Sequence, residues 1–387
     1  MDNQQYFLSI DNGTQSVRAM VFDAQGQLIA KSKIDIEPYF SDQPGWAEQH
    51  AEYFWDALCK ACQALWPLLP IPKESIAAVS VTTQRATAIA MGADNQPLRP
   101  AISWLDQRQV ETKPALGALE SALFTLVRAK PLVDLMHKQA EANWIAQNEP
   151  NIWDKVHKFV LLSGYHNYKL TGEYKDAVAS TVGFLPFDYK TQQWADKKDW
   201  KWRAMPITQE MLPEVLPAGA ELGRITLQAA TETGIPKGLP LIASGSDKAC
   251  EVLGTGCIDS QTGSLSYGSL ATLNIASDKY IEAIPFYPAY PGVIPKTFSD
   301  QEILDRYIAA MVYEGTKILQ EKIAIRPSDI DVVFTNGYGF PKWRGGPMKY
   351  ADMIGLDKIL LNIQKFSDTK NSKRKYLTVV TSYFFKI

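Results

Sequence analysis

The stretch that most limits the fold is Tyr6 to Asp23, YFLSIDNGTQSVRAMVFD. An apolar run, Tyr6 to Ile10, meets a polar turn, Asp11-Asn12-Gly13-Thr14-Gln15-Ser16, and a second apolar run, Val17 to Phe22, follows at once. Two such runs joined by a short turn read as a β-hairpin. The turn is longer than two residues and packs a carboxylate, an amide and two hydroxyls around one glycine. Small residues let backbone N–H groups close on an anion, and such concavities bind phosphate. A carboxylate at the strand end, Asp11, suits a magnesium ion or its waters between phosphate oxygens. Asp and Asn also serve ordinary turns, so the turn alone leaves both readings open.

A third apolar run, Leu28 to Ile36, extends the hairpin to an antiparallel meander. A polar loop, DQPGWAEQ, leads into an amphipathic helix, EQHAEYFWDALCKACQALW. The run 76–82 reads as a buried strand, and a second hairpin turns through Asp94-Asn95-Gln96-Pro97. The spacing predicts helix over most of 107–147, broken at Lys130-Pro131, and another helix over 155–170. A strand over 239–243 leads through Ser244-Gly245-Ser246-Asp247 into a helix starting at Lys248. LSYGSLATLNI, 265–275, reads as strand, glycine turn, strand, and a proline-rich stretch, 285–295, marks a boundary. Beyond it Ser299-Asp300-Gln301-Glu302 fits a capping box ahead of a long amphipathic helix reaching 319. A glycine-dense loop spans 336–347, a second helix spans 348–366, and the tail is first basic and then β-prone.

Length and charge narrow the function. A chain of 387 residues predicts two or three domains. Its net charge of −2 offers no field for nucleic acid or a membrane surface. The start, MDNQQYFLSID, lacks a basic and then apolar leader, and no apolar run is long enough to cross a bilayer. The expectation is a cytoplasmic chain. Cys59 and Cys62 form a CxxC inside the amphipathic helix, where buried thiols are the plain reading. The histidines at 50, 137, 157 and 166 show no ligand spacing, so no zinc site is expected.

Two strand-end carboxylates then stand out, Asp11 and Asp247. Each follows an apolar strand and sits among small residues. Asp247 fits a helix cap, and equally a general base beside a metal-bound phosphate. The turn Tyr267-Gly268-Ser269 shares its glycine and hydroxyl with the first turn. Two such turns can hold a polyphosphate from both sides, while Gln84, Arg85, Trp104 and Asp106 supply polar and stacking contacts to a polyol.

IDNGTQSVRAMVFD, DQPGWAEQ, TTQRATAIAMGADNQPLRPAISWLDQR, LLSGYHNYKLTGEY, DAVASTVGF, GSDKACEVLGTGC and TGSLSYGSLAT occur in the order found in FGGY carbohydrate kinases, which 1–298 resembles. The resemblance implies an α/β chain with an actin-like, ribonuclease-H-like ATPase domain over 1–250. The start of a second such domain, truncated, would occupy 251–298. It implies Asp247 as the catalytic base and Asp11 as the magnesium-associated aspartate, with Asp247 also near the metal through water. It implies Gly13, Thr14 and Arg18 as the first phosphate loop, and Gly268 with Ser269 as the second. ATP and Mg²⁺ are the implied cofactors and a small sugar or polyol the implied partner. Self-association is left open. Glycerol-type members have threonine at Gln15 and glutamate at Ala86, and the latter argues against glycerol. Xylulose-type members have Met-His where Arg85-Ala86 stand, so the substrate stays open.

A second stretch, EILDRYIAAMVYEGTKILQEKIAIRPSDIDVVFTNGYGFPKWRGGPMKYADMIGLDKIL, resembles the C-terminal helical domain of 3-hydroxyacyl-CoA dehydrogenases. It covers 299–366, and the tail 367–387 resembles neither segment. The chain is thus read as a fusion, with a kinase activity weakened by loss of the adenine-binding region. The competing readings are a non-catalytic sugar-binding module and a fatty-acid-oxidation dehydrogenase fragment. The latter needs a dinucleotide loop, and no GxGxxG follows any strand here.

Overall fold

The computed structural model describes residues 5–111, 124–126, 130–257, 262–267, 271–276, 280, 282, 300–337, 340 and 342–367. The chain divides into two compact units. One comprises 1–251 and 280–293, the other 252–279 and 294–387.

The first unit is built on a six-stranded mixed sheet. Strands Tyr6–Asn12, Ser16–Asp23 and Leu28–Asp35 form the expected antiparallel meander. Ile76–Thr83 lies parallel to the first strand, and Pro240–Ile242 lies parallel to Ile76–Thr83. Glu221–Arg224 closes that edge antiparallel. Alternation along Tyr6–Asn12 sends Tyr6, Leu8, Ile10 and Asn12 to the core and Phe7, Ser9 and Asp11 to the other face. The helix Ala51–Leu65 covers the core face. Its Phe54, Trp55, Leu58, Ala61, Cys62 and Leu65 recur at helical spacing and are buried against the sheet. Burial pushes the Cys59 thiol up to about 12 and the Cys62 thiol in the same direction, so both are inert packing groups.

A smaller antiparallel sheet stands beside it, in the order Glu48–Gln49, Ala101–Ile102, Ala88–Met91, Lys158–Leu161. Its last strand corrects the helix expected over 155–170. Only Leu162–Thr171 is helical, and Lys158–Leu161 pairs with Ala88–Met91. A short run with Phe159 and Val160 buried has no periodicity to separate strand from helix. In 107–147 the described helical residues are 124–126 and the helices Lys130–Gln139 and Glu141–Asn148. Pro131 lies where the first of these helices begins, at the expected break. It stands in the opening turn, where a missing N–H costs nothing.

In the second unit Gly263–Tyr267 pairs with Ala271–Ile275, the expected hairpin. The helices are Asp300–Gln320, Pro327–Gly337, Pro347–Ile354 and Leu356–Ser367, around Ile308, Val312, Ile330, Met348, Ile359 and Ile363. The capping serine Ser299 lies outside the described residues. Pro327–Gly337 was not anticipated, and it takes in the start of the glycine-dense loop. The single helix expected over 348–366 is two, because Gly355 turns left-handed at φ 102°. Asp331 is buried and accepts from the Met348 and Lys349 N–H groups, at 2.7 and 3.1 Å, which caps Pro347–Ile354. No described helix is long and apolar enough to cross a membrane.

Candidate active site

Three parallel strands of the first unit end on one edge of the sheet. Asp11 pairs in register with Thr82, and Asn12 with Thr83. The chain leaves the second strand through Gln84 and Arg85, and the Gln84 N–H donates to the Asn12 carbonyl at 2.9 Å. The third strand leaves through Ser244–Ser246 into the helix Asp247–Gly254. Thr82 Oγ1 donates to the Gly245 carbonyl at 2.7 Å and ties the two exits together. In open α/β sheets ligands bind outside the carboxyl ends of parallel strands.

The two carboxylates each face an arginine. Arg18 Nη1 donates to Asp11 Oδ2 at 2.7 Å. Arg85 Nε stands 3.9 Å from Asp247 Oδ1, which accepts the Lys248 N–H at 2.7 Å. Burial raises the Asp247 carboxyl, and the charge of Asp11 pushes it the same way. The Lys248 N–H, Arg85 and the Lys248 side chain oppose the shift. A carboxylate with a raised pKa is a stronger base, the property a proton acceptor for a hydroxyl needs.

Trp104 joins two of the anticipated groups. Its Nε1–H is shared between Thr14 Oγ1 and Gln84 Oε1, each at 3.2 Å. Gln84 is buried, and its Nε2 has no hydrogen-bond partner among the described residues. Asp106 sits differently. Its carboxylate accepts from Arg108 Nε and Nη2, at 2.8 and 2.7 Å, and from the Arg108 and Ala47 N–H groups. Arg108 also meets Glu48 at 2.8 Å and lies over the rings of Trp46 and Trp144. Glu48 in turn bonds Arg99, which pairs with Glu149 at 2.6 Å. Asp106 is thus one end of a buried ionic chain that runs through Arg108, Glu48 and Arg99. The Gly13 N–H donates to the Ser16 carbonyl at 3.1 Å and closes the first turn. Gly268 and Ser269 lie outside the described residues.

Sequence reasoning missed one buried pair. His166 Nε2 lies 2.9 Å from Asn12 Oδ1, and Asn12 Nδ2 donates to the Gly13 carbonyl at 3.1 Å. Burial and Lys169 lower the His166 pKa to about 3, so the ring is neutral and fixes Asn12 beside the turn. The two residues are 154 positions apart. No local signal links them, and only the fold does.

Among the described residues no group of three or more His, Cys, Asp or Glu side chains could hold a metal ion. Magnesium carried by phosphates needs only one or two carboxylates. Asp11 and Asp247 supply these, and Thr14 supplies a hydroxyl, so the residues fit a magnesium–polyphosphate.

The N-terminal domain of the FGGY family of carbohydrate kinases matches residues 6–254. The chain belongs to the FGGY family of carbohydrate kinases. The 3-hydroxyacyl-CoA dehydrogenase C-terminal domain matches 303–384. This FGGY chain is therefore a fusion, and the second match takes in most of the tail that resembled neither segment. An uncharacterised Escherichia coli sugar kinase, YgcE, is 29% identical over 271 residues, which are 70% of this chain and 48% of that one. A gluconate kinase from Lactobacillus acidophilus shares the fold with a TM-score of 0.62 at 19% identity, over 76% of this chain and 58% of that one. A Plasmodium falciparum glycerol kinase solved with ADP gives a TM-score of 0.58 at 18% identity, over 95% and 79%. The sheet of this FGGY chain is that of the actin-like, ribonuclease-H-like ATPases. The chain spans about half the length of the curated relatives it matches.

Proposed function

We propose that the first unit binds a sugar or polyol together with the phosphate end of ATP-Mg²⁺, and that Asp247 is the general base. The reading takes the chain as cytoplasmic, in keeping with its sugar-kinase relatives. One observation carries it: three parallel strands bring Asp11, Gln84–Arg85 and Asp247 to one edge, where the charge of Asp11 helps to raise Asp247. Asp247 takes the proton from the reacting hydroxyl, and Arg85 holds that carboxylate in place. Asp11 faces the metal. Gly13, Thr14 and Arg18 meet the phosphates, with Gly268 and Ser269 as the second phosphate turn. Gln84, Trp104 and Asp106 shape the sugar side. The bound nucleotide supplies the phosphoryl group, and its magnesium offsets the developing charge.

The same reading makes the chain a weak kinase. The FGGY match stops at 254 and the dehydrogenase match starts at 303, which leaves 48 residues, 255–302, between them. The adenine-binding part of a second kinase lobe is expected where the foreign helices stand. Misplacing reacting groups by about 1 Å already costs on the order of 10²-fold. We propose domain limits of 1–250 and 251–298 for the kinase parts, 299–366 for the helical segment and 367–387 for the tail.

Calorimetric titration with ATP-Mg²⁺ and then with a panel of sugars and polyols tests binding, and release of ADP tests turnover. The expected result is measurable sugar binding with turnover well below the ordinary kinase range of about 1–100 s⁻¹. Turnover within that range would overturn the weakness. Absence of binding to every sugar and to ATP-Mg²⁺ would overturn the kinase reading itself.

A further inference from the structure

The turn after the first strand holds its first two peptide groups by different means. The Asn12–Gly13 peptide is tied at both ends by backbone. Its carbonyl accepts the Gln84 N–H at 2.9 Å, and its N–H donates to the Ser16 carbonyl at 3.1 Å. The Gly13–Thr14 peptide is tied at one end, by a side chain. Its carbonyl accepts from Asn12 Nδ2 at 3.1 Å, and from no other group among the described residues. Asn12 is 0% exposed and lies on the core side of its strand, so this carbonyl points inward. The peptide is trans. A trans peptide carries its N–H on the side opposite its carbonyl, so the Thr14 N–H points away from Asn12. Thr14 is half-buried, and its N–H donates to no protein group among the described residues.

Such a peptide can turn over. Gly13 has a wide choice of backbone angles, and rotation on either side of the peptide would put the carbonyl oxygen where the N–H stands. An oxygen there repels a phosphate. The Asn12 amide opposes that rotation, and His166 in turn holds the amide. Asn12 Nδ2 is spent on the Gly13 carbonyl, so Oδ1 faces His166, and the ring nitrogen Nε2 at 2.9 Å must be the donor. His166 is also 0% exposed. Two apolar side chains of the same shape would fill the core about as well as this polar pair. What the pair adds is direction. We propose that His166 is a positioning residue of the phosphate turn: through Asn12 it holds the Gly13–Thr14 peptide so that the Thr14 N–H faces outward, as a donor to a phosphate oxygen of the nucleotide. This deepens the kinase reading of the same turn and rests on it. The backbone of Thr14 is the group that touches the ligand, and His166 acts on it at one remove.

The test titrates ATP-Mg²⁺ calorimetrically into the full chain and into Asn12→Leu, His166→Phe, His166→Gln and the double variant of Asn12→Leu with His166→Phe. Urea unfolding is measured for each, and the Thr14 amide is followed by NMR of threonine-labelled protein. In the unmodified chain the Thr14 amide proton should move downfield as ATP-Mg²⁺ binds. Asn12→Leu should abolish that shift and weaken ATP-Mg²⁺ by about tenfold or more, the loss of one N–H bond to a charged group. His166→Phe should act in the same way, while His166→Gln keeps a donor and should stay within about threefold of the parent. The double variant should bind no more weakly than Asn12→Leu, because the two side chains act as one unit. Its unfolding midpoint should lie closer to the parent's than that of either single variant, since no buried polar group is then left without its partner. A pair that only fills the core would move the midpoints and leave the affinity alone. Affinities within about twofold of the parent in folded Asn12→Leu and His166→Phe would therefore overturn the proposal. A Thr14 amide that ignores bound ATP-Mg²⁺ in the unmodified chain would overturn it too, and additive losses in the double variant would overturn action through Asn12. If His166→Phe does not fold, Asn12→Leu and the double variant decide, and affinity kept in both overturns the proposal. Failure of ATP-Mg²⁺ to bind the unmodified chain would count against the kinase reading instead.

Discussion

Asp247 and Asp331 are the same residue type under the same pressure. Each has its carboxyl raised, first of all by burial. Each also accepts a backbone N–H at 2.7 Å. They differ in what the remaining oxygen capacity meets. Asp331 takes a second N–H, from Lys349, and caps the helix Pro347–Ile354. Its place is so tight that a Cβ on Gly346, at φ 110°, would come within 2.4 Å of it. Among the described residues Asp247 accepts its own neighbour's N–H, faces Arg85 at a loose 3.9 Å and feels the charge of Asp11. An acid whose two oxygens both accept N–H groups of one helix is structural. One held by a single N–H and a distant cation has capacity left for a proton or a metal-bound water. Asp106, which the sequence offers as a polyol contact together with Gln84, Arg85 and Trp104, also has both oxygens accepting from protein donors.

The largest expected effect breaks the comparison at its chemical end. Asp247→Asn should lower any phosphoryl transfer by about 10²–10⁴-fold while sugar affinity and the unfolding midpoint stay close to the parent. An ADP-release assay beside calorimetry checks this. Asp106→Ala should do the reverse. Removing one partner of a buried ion pair costs about 3–5 kcal/mol, because Arg108 is left under-compensated between two tryptophans. Urea unfolding should show the loss, and sugar affinity in the folded fraction should change by less than about tenfold. A larger affinity loss would make Asp106 a substrate ligand.

Asp331→Ala comes next. It strips the acceptor from two N–H groups of Pro347–Ile354 and should cost about 1–3 kcal/mol. Hydrogen exchange should report faster opening of 327–367 with 6–102 unaffected. Loss of protection throughout the chain would show that the acid supports more than its own helices.

The parts legible in the sequence are those written locally. The meander is signalled by alternation and turns within Tyr6 to Ile36. Asp11 and Asp247 are visible because each closes an apolar run with small residues. What was not legible depends on pairing across the chain. Lys158–Leu161 is a strand because Ala88–Met91 lies beside it, which no window around residue 160 contains. Asp106 looks like a ligand in WLDQR, and only the fold reveals that Glu48 shares its arginine. The His166–Asn12 bond joins a helix to a strand end, and neither motif announces the other.

The smallest effect concerns two buried groups whose proton linkages oppose each other. His166 has a folded pKa lowered to about 3, by burial and Lys169, against an ordinary value of 6.5. Between those values the unfolded chain binds the proton and the folded one does not, so stability is lost as the pH falls from about 6.5 to about 3. Asp176 is raised from 3.8 to about 7 by burial, although Ser163, Asn167 and the Ala177 N–H all donate to it. Here the folded chain holds the proton, so stability is present in acid and lost as the pH rises through about 7. From 3.8 to 6.5 the two slopes have opposite sign and similar size, roughly 1.4 kcal/mol per pH unit each. Their joint contribution across that window is close to flat. His166→Gln keeps a donor for Asn12 but removes one slope. Relative to the parent it should gain stability on acidification, by roughly 2 kcal/mol between pH 6 and pH 4.5. Asp176→Asn should shift in the opposite sense over the same range. Denaturation midpoints of the parent and both variants, at half-unit pH steps, check the signs. Parallel curves for the parent and His166→Gln would mean that the ring is not held neutral, and Asn12 would lose its fixed partner.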